Sequence, residues 1–189
     1  MPLILASASP RRAELLTNAG FTFDVQPADV DETPSEAESP TEYAVRVARE
    51  KARVTFARCG NLNSPVLGAD TVVVADGRIL GKPSDAADAH AMLRLLSGRV
   101  HDVHTAVVFI VGSREFVEVA TSRVRFVSLS KSEIEWYVAS GEPHGKAGAY
   151  AIQGRAARFV DWIDGSWSNV VGLPVATVYR ILKDAGVLC

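Results

Sequence analysis

The sequence predicts an α/β fold: a mixed, largely antiparallel twisted sheet flanked by helices, with two lobes around a central cleft. Three observations carry this. Short apolar runs near the N-terminus alternate with capped amphipathic stretches, the pattern of strands and helices in layers. Two long β-branched runs, 99–111 and 115–129, follow one another closely and read as antiparallel neighbours rather than as a pure βαβ array. No repeat, low-complexity stretch or linker interrupts the 189 residues, so residues 1–189 read as one continuous domain.

The elements follow in order. Residues 2–6 read as a buried strand that Met1-Pro2-Leu3 opens directly, with no signal-peptide pattern. Ser9 is the expected N-cap and Pro10 the first residue of a helix through Asn18, closed by Gly20. Residues 21–26 alternate as a second strand, and 28–38 form an acidic, Pro-containing loop. Ser39-Pro40-Thr41-Glu42 is a capping box that starts a helix to about Arg58. Residues 66–75 and 78–81 flank Asp76-Gly77, a strong hairpin signal. Residues 84–96 form an amphipathic helix with Ala89, Met92, Leu93 and Leu96 inward. After the two β-branched runs, Ser130-Lys131-Ser132-Glu133 is a second capping box, opening a helix to about Ala139. Residues 147–153 and 158–163 are further strand candidates, and 174–185 is a closing helix.

Bulk composition bounds the function. A formal charge of −2 speaks against a polycationic surface, so nucleic acid is not an expected partner. No apolar run reaches the length of a membrane span, and a membrane is not expected either. Cys59 and Cys189 suggest two free thiols in a reducing compartment rather than a disulfide framework, so a cytoplasmic location is expected.

The chemistry concentrates in a few places. In Leu5-Ala6-Ser7-Ala8-Ser9-Pro10-Arg11-Arg12, two guanidinium groups sit in the first turn of a helix, whose dipole already makes that end positive. An anionic ligand would relieve the conflict, and helix-start N–H groups and Arg forks both suit phosphate; the alternative is a solvated helix start. Asp70 interrupts an apolar strand, and a buried carboxylate needs a partner or a metal; the alternative is a strand-end Asp bonding turn amides. Gly68 weakens that strand, as expected where a ligand approaches the backbone.

Lys51 extends the inward stripe of Ala44, Val47 and Ala48, while Arg46, Arg49 and Glu50 fall where solvated charges belong. Lys51 either snorkels at the core edge or points into a cleft beside Asp70. Hairpin geometry sets Lys82, after Gly81 and before Pro83, beside Asp70. Glu32, within the acidic loop, is placed to join Asp70 around a hard divalent cation. Asp29, Glu36 and Glu38 read as surface acids. The segment 145–154 is rich in glycine and small residues, and Gln153 offers a donor and an acceptor suited to a base edge. His101 and His104 have opposite parity on a strand and cannot share a metal.

Ten segments in register, including Leu5-Ala6-Ser7-Ala8-Ser9-Pro10-Arg11-Arg12, Asp31-Glu32, Gly68-Ala69-Asp70-Thr71, Gly81-Lys82-Pro83, Gly141-Glu142-Pro143 and Ile152-Gln153-Gly154, resemble the Maf family of nucleoside triphosphate pyrophosphatases, with a Maf/ITPase-like fold. The resemblance implies hydrolysis of a nucleoside triphosphate to monophosphate and pyrophosphate with a divalent cation, Mg²⁺ or Mn²⁺. It assigns Asp70 as proton acceptor; Ser7, Arg12, Lys51 and Lys82 to the substrate; and Glu32 with Asp70 to the metal. The set Arg11, Thr71 and Gln153 resembles the branch acting on dTTP and UTP, modified pyrimidine nucleotides included. A 7-methyl-GTP pyrophosphatase and a non-catalytic nucleotide-binding regulator of cell division stand as alternatives. The partner expected is the nucleoside triphosphate; a homodimer is left open.

Overall fold

The computed structural model describes residues 2–35 and 37–188. Glu36 and Cys189, read above as a surface acid and a free thiol, and Met1 lie outside the described residues. In chain order the regular elements are β1 (Leu3–Leu5), α1 (Pro10–Asn18), β2 (Phe23–Val25), α2 (Pro40–Cys59), β3 (Val66–Ala75), β4 (Arg78–Leu80), α3 (Ala86–Leu96), β5 (Val100–Val111), β6 (Arg114–Phe126), α4 (Lys131–Ala139), β7 (Val160–Asp164), α5 (Trp167–Val171) and α6 (Val175–Asp184).

The strands form one mixed sheet of order β2-β1-β3-β5-β6-β7, with β4 paired to β3. β1 runs parallel to both β2 and β3, whereas β4 on β3 and β7 on β6 are antiparallel. The expected mixed sheet flanked by helices is therefore observed. No described helix is long and apolar enough to cross a membrane.

The chain divides into two compact units, each assembled from separate stretches. Unit 1 comprises residues 1–71, 105–120 and 172–189; unit 2 comprises 72–104 and 121–171. In unit 1, the core includes Leu5, Leu16, Val47, Leu67, Val107, Val178 and Leu182. Its longest helix begins and ends as its sequence dictates. α2 opens on a complete Ser39–Glu42 capping box with Pro40 at its first position and closes on Gly60 in the left-handed conformation.

α1 spans Pro10–Asn18 with Pro10 in its first turn, as expected. Ser9 occupies the N-cap, but its side chain makes no capping bond, and the first turn contains no acid. The strand expected over 21–26 shortens to Phe23–Val25, which is largely exposed.

In unit 2, Leu93, Leu96, Val103, Phe126, Tyr137 and Phe159 are fully buried or nearly so. Asp76 and Gly77 turn the β3–β4 hairpin with φ of 50° and 74°, as a two-residue hairpin of that composition requires. The Ser130–Glu133 capping box is complete. The strand expected over 147–153 is absent. Gly148 and Ala149 both adopt positive φ, 67° and 58°, which curls the chain into a single 3₁₀ turn at Ala147–Ala149. A Cβ on Gly148 would meet Val73 at 3.0 Å, and its N–H bonds the carbonyl of Gly81 at 3.1 Å. Alternating small residues there serve close packing, not a pleat. The last strand starts two residues later than expected, at Val160.

Candidate active site

In unit 1, the Lys51 ammonium lies 2.8 Å from Oδ1 of Asp70 and 2.6 Å from Oε1 of Glu32. The Lys51 and Asp70 side chains are about nine-tenths buried, while that of Glu32 is 38% exposed. Lys51 thus points at Asp70 and away from solvent, as one of its two sequence readings required. One ammonium, from α2, bridges two carboxylates, one from the acidic loop and one from β3.

Gly68 brings α2 to this distance. A Cβ at residue 68 would stand 2.3 Å from the Ala48 carbonyl oxygen and 2.9 Å from both Cβ and N of Ala52. The close approach expected at Gly68 is therefore made by the backbone of α2 rather than by a ligand. Because residue 51 lies between 48 and 52 on that helix, the same approach delivers its ammonium to Asp70.

Arg12, buried in α1, is held on three sides. Its Nε donates to the Gly172 carbonyl at 2.8 Å, Nη1 to the Ser7 hydroxyl at 3.0 Å and Nη2 to the Thr71 hydroxyl at 3.1 Å. Thr71 in turn pairs with Thr105 at 2.9 Å and lies 3.3 Å from the Gly172 carbonyl. Burial lowers the Arg12 pKa and the Asp70 charge raises it, but a guanidinium stays protonated throughout the working pH range. Three of its five N–H groups are engaged in these bonds, leaving two for another acceptor. Arg11, half-buried beside it, is close enough to lower the Arg12 pKa further.

The acidic loop is bound to α2 more closely than its composition suggests. Tyr43 donates to the Glu32 carbonyl at 2.7 Å. Arg46 donates to the carbonyls of Asp31 and Thr33 and pairs with Glu38 at 2.6 Å. Arg46 and Glu38 are thus structural partners, not solvated charges. Likewise, Arg49 pairs with Glu115 at 2.8 Å, and Glu50 lies 3.5 Å from Arg46. Asp29 is exposed as expected, and Cys59 is a free thiol.

Lys82 and Gln153 belong to unit 2 and are exposed there. Lys82 follows Gly81, the residue tied to Gly148. The paired residues of the β3–β4 hairpin end at Val73–Leu80, so setting Lys82 beside Asp70 extrapolates the register past its last pair. Gln153 sits on a turn pinned at both ends. Ala151 N–H donates to the Tyr137 hydroxyl, and the N–H groups of Arg155 and Ala156 donate to the Glu142 carboxylate. His101 is buried against the Tyr150 hydroxyl at 2.9 Å, and His104 meets Thr121 at 2.9 Å, so they serve separate places, in keeping with their parity.

Sequence reasoning gave no role to Tyr43, to Gly172 or to buried Asn169, whose amide donates to the Val103 carbonyl and the Ser122 hydroxyl. A tyrosine three residues before an arginine on α2 was the one available signal for the loop anchor.

A buried acid shared with a lysine, beside a locked arginine at a helix start, is the arrangement of an anion-handling α/β protein. The family model described as Maf-like protein matches residues 2–185, and the chain belongs to that family. A relative from Koribacter versatilis named dTTP/UTP pyrophosphatase is 52% identical over 188 residues, covering 100% of this chain and 96% of its own. One of the same name from Shewanella oneidensis is 48% identical over 194 residues, covering 100% of both chains. A solved nucleoside-triphosphatase / dITP/XTP pyrophosphatase from Mycobacterium abscessus aligns with a TM-score of 0.44 at 14% identity, covering 99% of this chain and 94% of that one.

Proposed function

We propose that this chain is a nucleoside triphosphate pyrophosphatase acting on dTTP and UTP. It releases pyrophosphate and leaves the nucleoside monophosphate. The relatives' shared name and their near-complete coverage support the substrate class. The single observation carrying the chemistry is the Lys51 ammonium within 2.8 Å of Asp70 and 2.6 Å of Glu32. Residues 1–189 act as one functional domain, a reading supported by the interleaving of the two units' segments.

The donor set fits a hard divalent cation. Two carboxylates converge on one point, and Mg²⁺ takes one or two carboxylates and fills its other positions with water and phosphate oxygens. Among the described residues, no group of three or more His, Cys, Asp or Glu gathers for a softer metal. Glu32 and Asp70 would hold the ion, which when bound polarises the phosphate and neutralises developing charge.

Asp70 accepts the proton of the attacking water as its oxygen bonds the α-phosphorus and the α–β bridging oxygen departs with pyrophosphate. Lys51 holds the Asp70 carboxylate in place through their 2.8 Å contact, so the base is oriented before substrate arrives. Arg12 uses its two remaining N–H groups on phosphate oxygens, and the Ser7 hydroxyl holds the guanidinium in register. Lys82 adds positive charge for the tail. Arg11, Thr71 and Gln153 select the base.

The test is a panel of nucleoside triphosphates with Mg²⁺ or Mn²⁺, scored for pyrophosphate against orthophosphate. Pyrophosphate release from dTTP and UTP is expected, and Asp70→Asn should cut turnover by about 100-fold or more with nucleotide affinity retained. Orthophosphate as product, or an Asp70→Asn variant that binds poorly yet turns over normally, would refute the assignment.

A further inference from the structure

We propose that Tyr43 and Arg46 are positioning residues for Glu32: they hold three consecutive main-chain carbonyls on α2, so that the carboxylate is presented to Lys51, Asp70 and a divalent cation. The inference rests on the reading of Glu32 as a cation ligand.

Between β2 and α2, the described residues of 26–39 form no helix or strand, so nothing periodic fixes the position of Glu32. Side chains of α2 do so instead. Arg46 Nη1 bonds the Asp31 carbonyl at 3.2 Å, Tyr43 Oη the Glu32 carbonyl at 2.7 Å and Arg46 Nη2 the Thr33 carbonyl at 2.9 Å. The Arg46 guanidinium lies 5.5 Å from the Tyr43 ring centroid and is itself held by Glu38. The Asp31 carboxylate closes a local turn by accepting from Thr33 N–H at 2.9 Å.

All three carbonyls belong to the backbone, so the Glu32 Cα is fixed while its side-chain torsions can still turn between the Lys51 ammonium and an arriving cation. Tyr43 and Arg46 stand three residues apart on α2 and so face the loop as neighbours, while Lys51 lies two turns beyond Tyr43 on the inward stripe. Supporting groups of this kind are worth about 10- to 100-fold in metal affinity.

The test measures Mn²⁺ binding by electron paramagnetic resonance of the free ion, in the presence of an α,β-imido analogue of dTTP that cannot be cleaved. Glu32→Gln should raise the Mn²⁺ half-saturation at least about 10-fold. Tyr43→Phe, which removes one oxygen and keeps the ring, should raise it about 3-fold or more, and adding Arg46→Met should raise it further. On the Glu32→Gln background, Tyr43→Phe should add nothing, because its effect acts through residue 32. A Tyr43→Phe variant with a lowered Tm but unchanged Mn²⁺ half-saturation would reduce the contact to ordinary packing and overturn the proposal. If Glu32→Gln itself leaves Mn²⁺ binding unchanged, the ligand reading of Glu32 falls, and the proposal with it.

Discussion

Adding one methyl group at residue 68 should uncouple the charged pair without touching either charge. The Cβ of Gly68→Ala would stand 2.3 Å from the Ala48 carbonyl oxygen, where real contacts are essentially never below 3.0 Å. α2 must therefore retreat from β3 by about 0.7 Å, taking Lys51 with it. The 2.8 Å bond to Asp70 then opens to about 3.5 Å, beyond a normal N–H···O hydrogen bond. Overpacking of this kind costs about 1–3 kcal/mol. For a chain of this length, that corresponds to a fall in Tm of about 2–12 °C. A misplacement approaching 1 Å lowers turnover by up to about 100-fold.

Thermal denaturation and dTTP turnover on the same preparation give both numbers. Ala52→Gly should not rescue the variant, because the nearest obstacle is main-chain oxygen rather than the Ala52 methyl. A Gly68→Ala protein with wild-type Tm and turnover would refute the argument, as would full rescue by Ala52→Gly.

Two further outcomes are expected. Lys82→Ala should weaken dTTP binding by more than dTMP binding, measured by calorimetry; equal losses for both would show that the ammonium does not serve the phosphate tail. Burial pushes His101 down to about 4 from 6.5, so between those values the unfolded chain binds the extra proton and stability falls as pH falls. The cumulative loss is about 3 kcal/mol by pH 4. His101→Gln, which keeps a partner for Tyr150, should flatten urea-denaturation stability across that window, and an unchanged slope would count against the assignment.

What was legible in the sequence was local. Ser39–Glu42 and Ser130–Glu133 announce their helices because a capping box is complete within four residues. Asp76-Gly77 announces its hairpin for the same reason, and Lys51 could be placed on the inward face because Ala44, Val47 and Ala48 lie on its own helix. The missing parts depend on partners remote in the chain. Arg46 looked solvated because its acceptors lie 13 and 15 residues back, in a loop with no period. Gly68 looked like a ligand approach because nothing near it in sequence names Ala48 as the neighbour. The stretch 147–153 looked like a strand because its run of small residues does not reveal the positive φ angles of Gly148 and Ala149 near its start.

Arg12 draws its three acceptors from Ser7, Thr71 and Gly172, the last of them 160 positions away from it. During synthesis, the pocket around this guanidinium cannot close until Gly172 has left the ribosome. The buried residues Val178, Ile181 and Leu182 of α6 emerge later still. A shortened product ending before that glycine would carry Glu32, Lys51 and Asp70 yet lack the carbonyl that holds the Arg12 Nε.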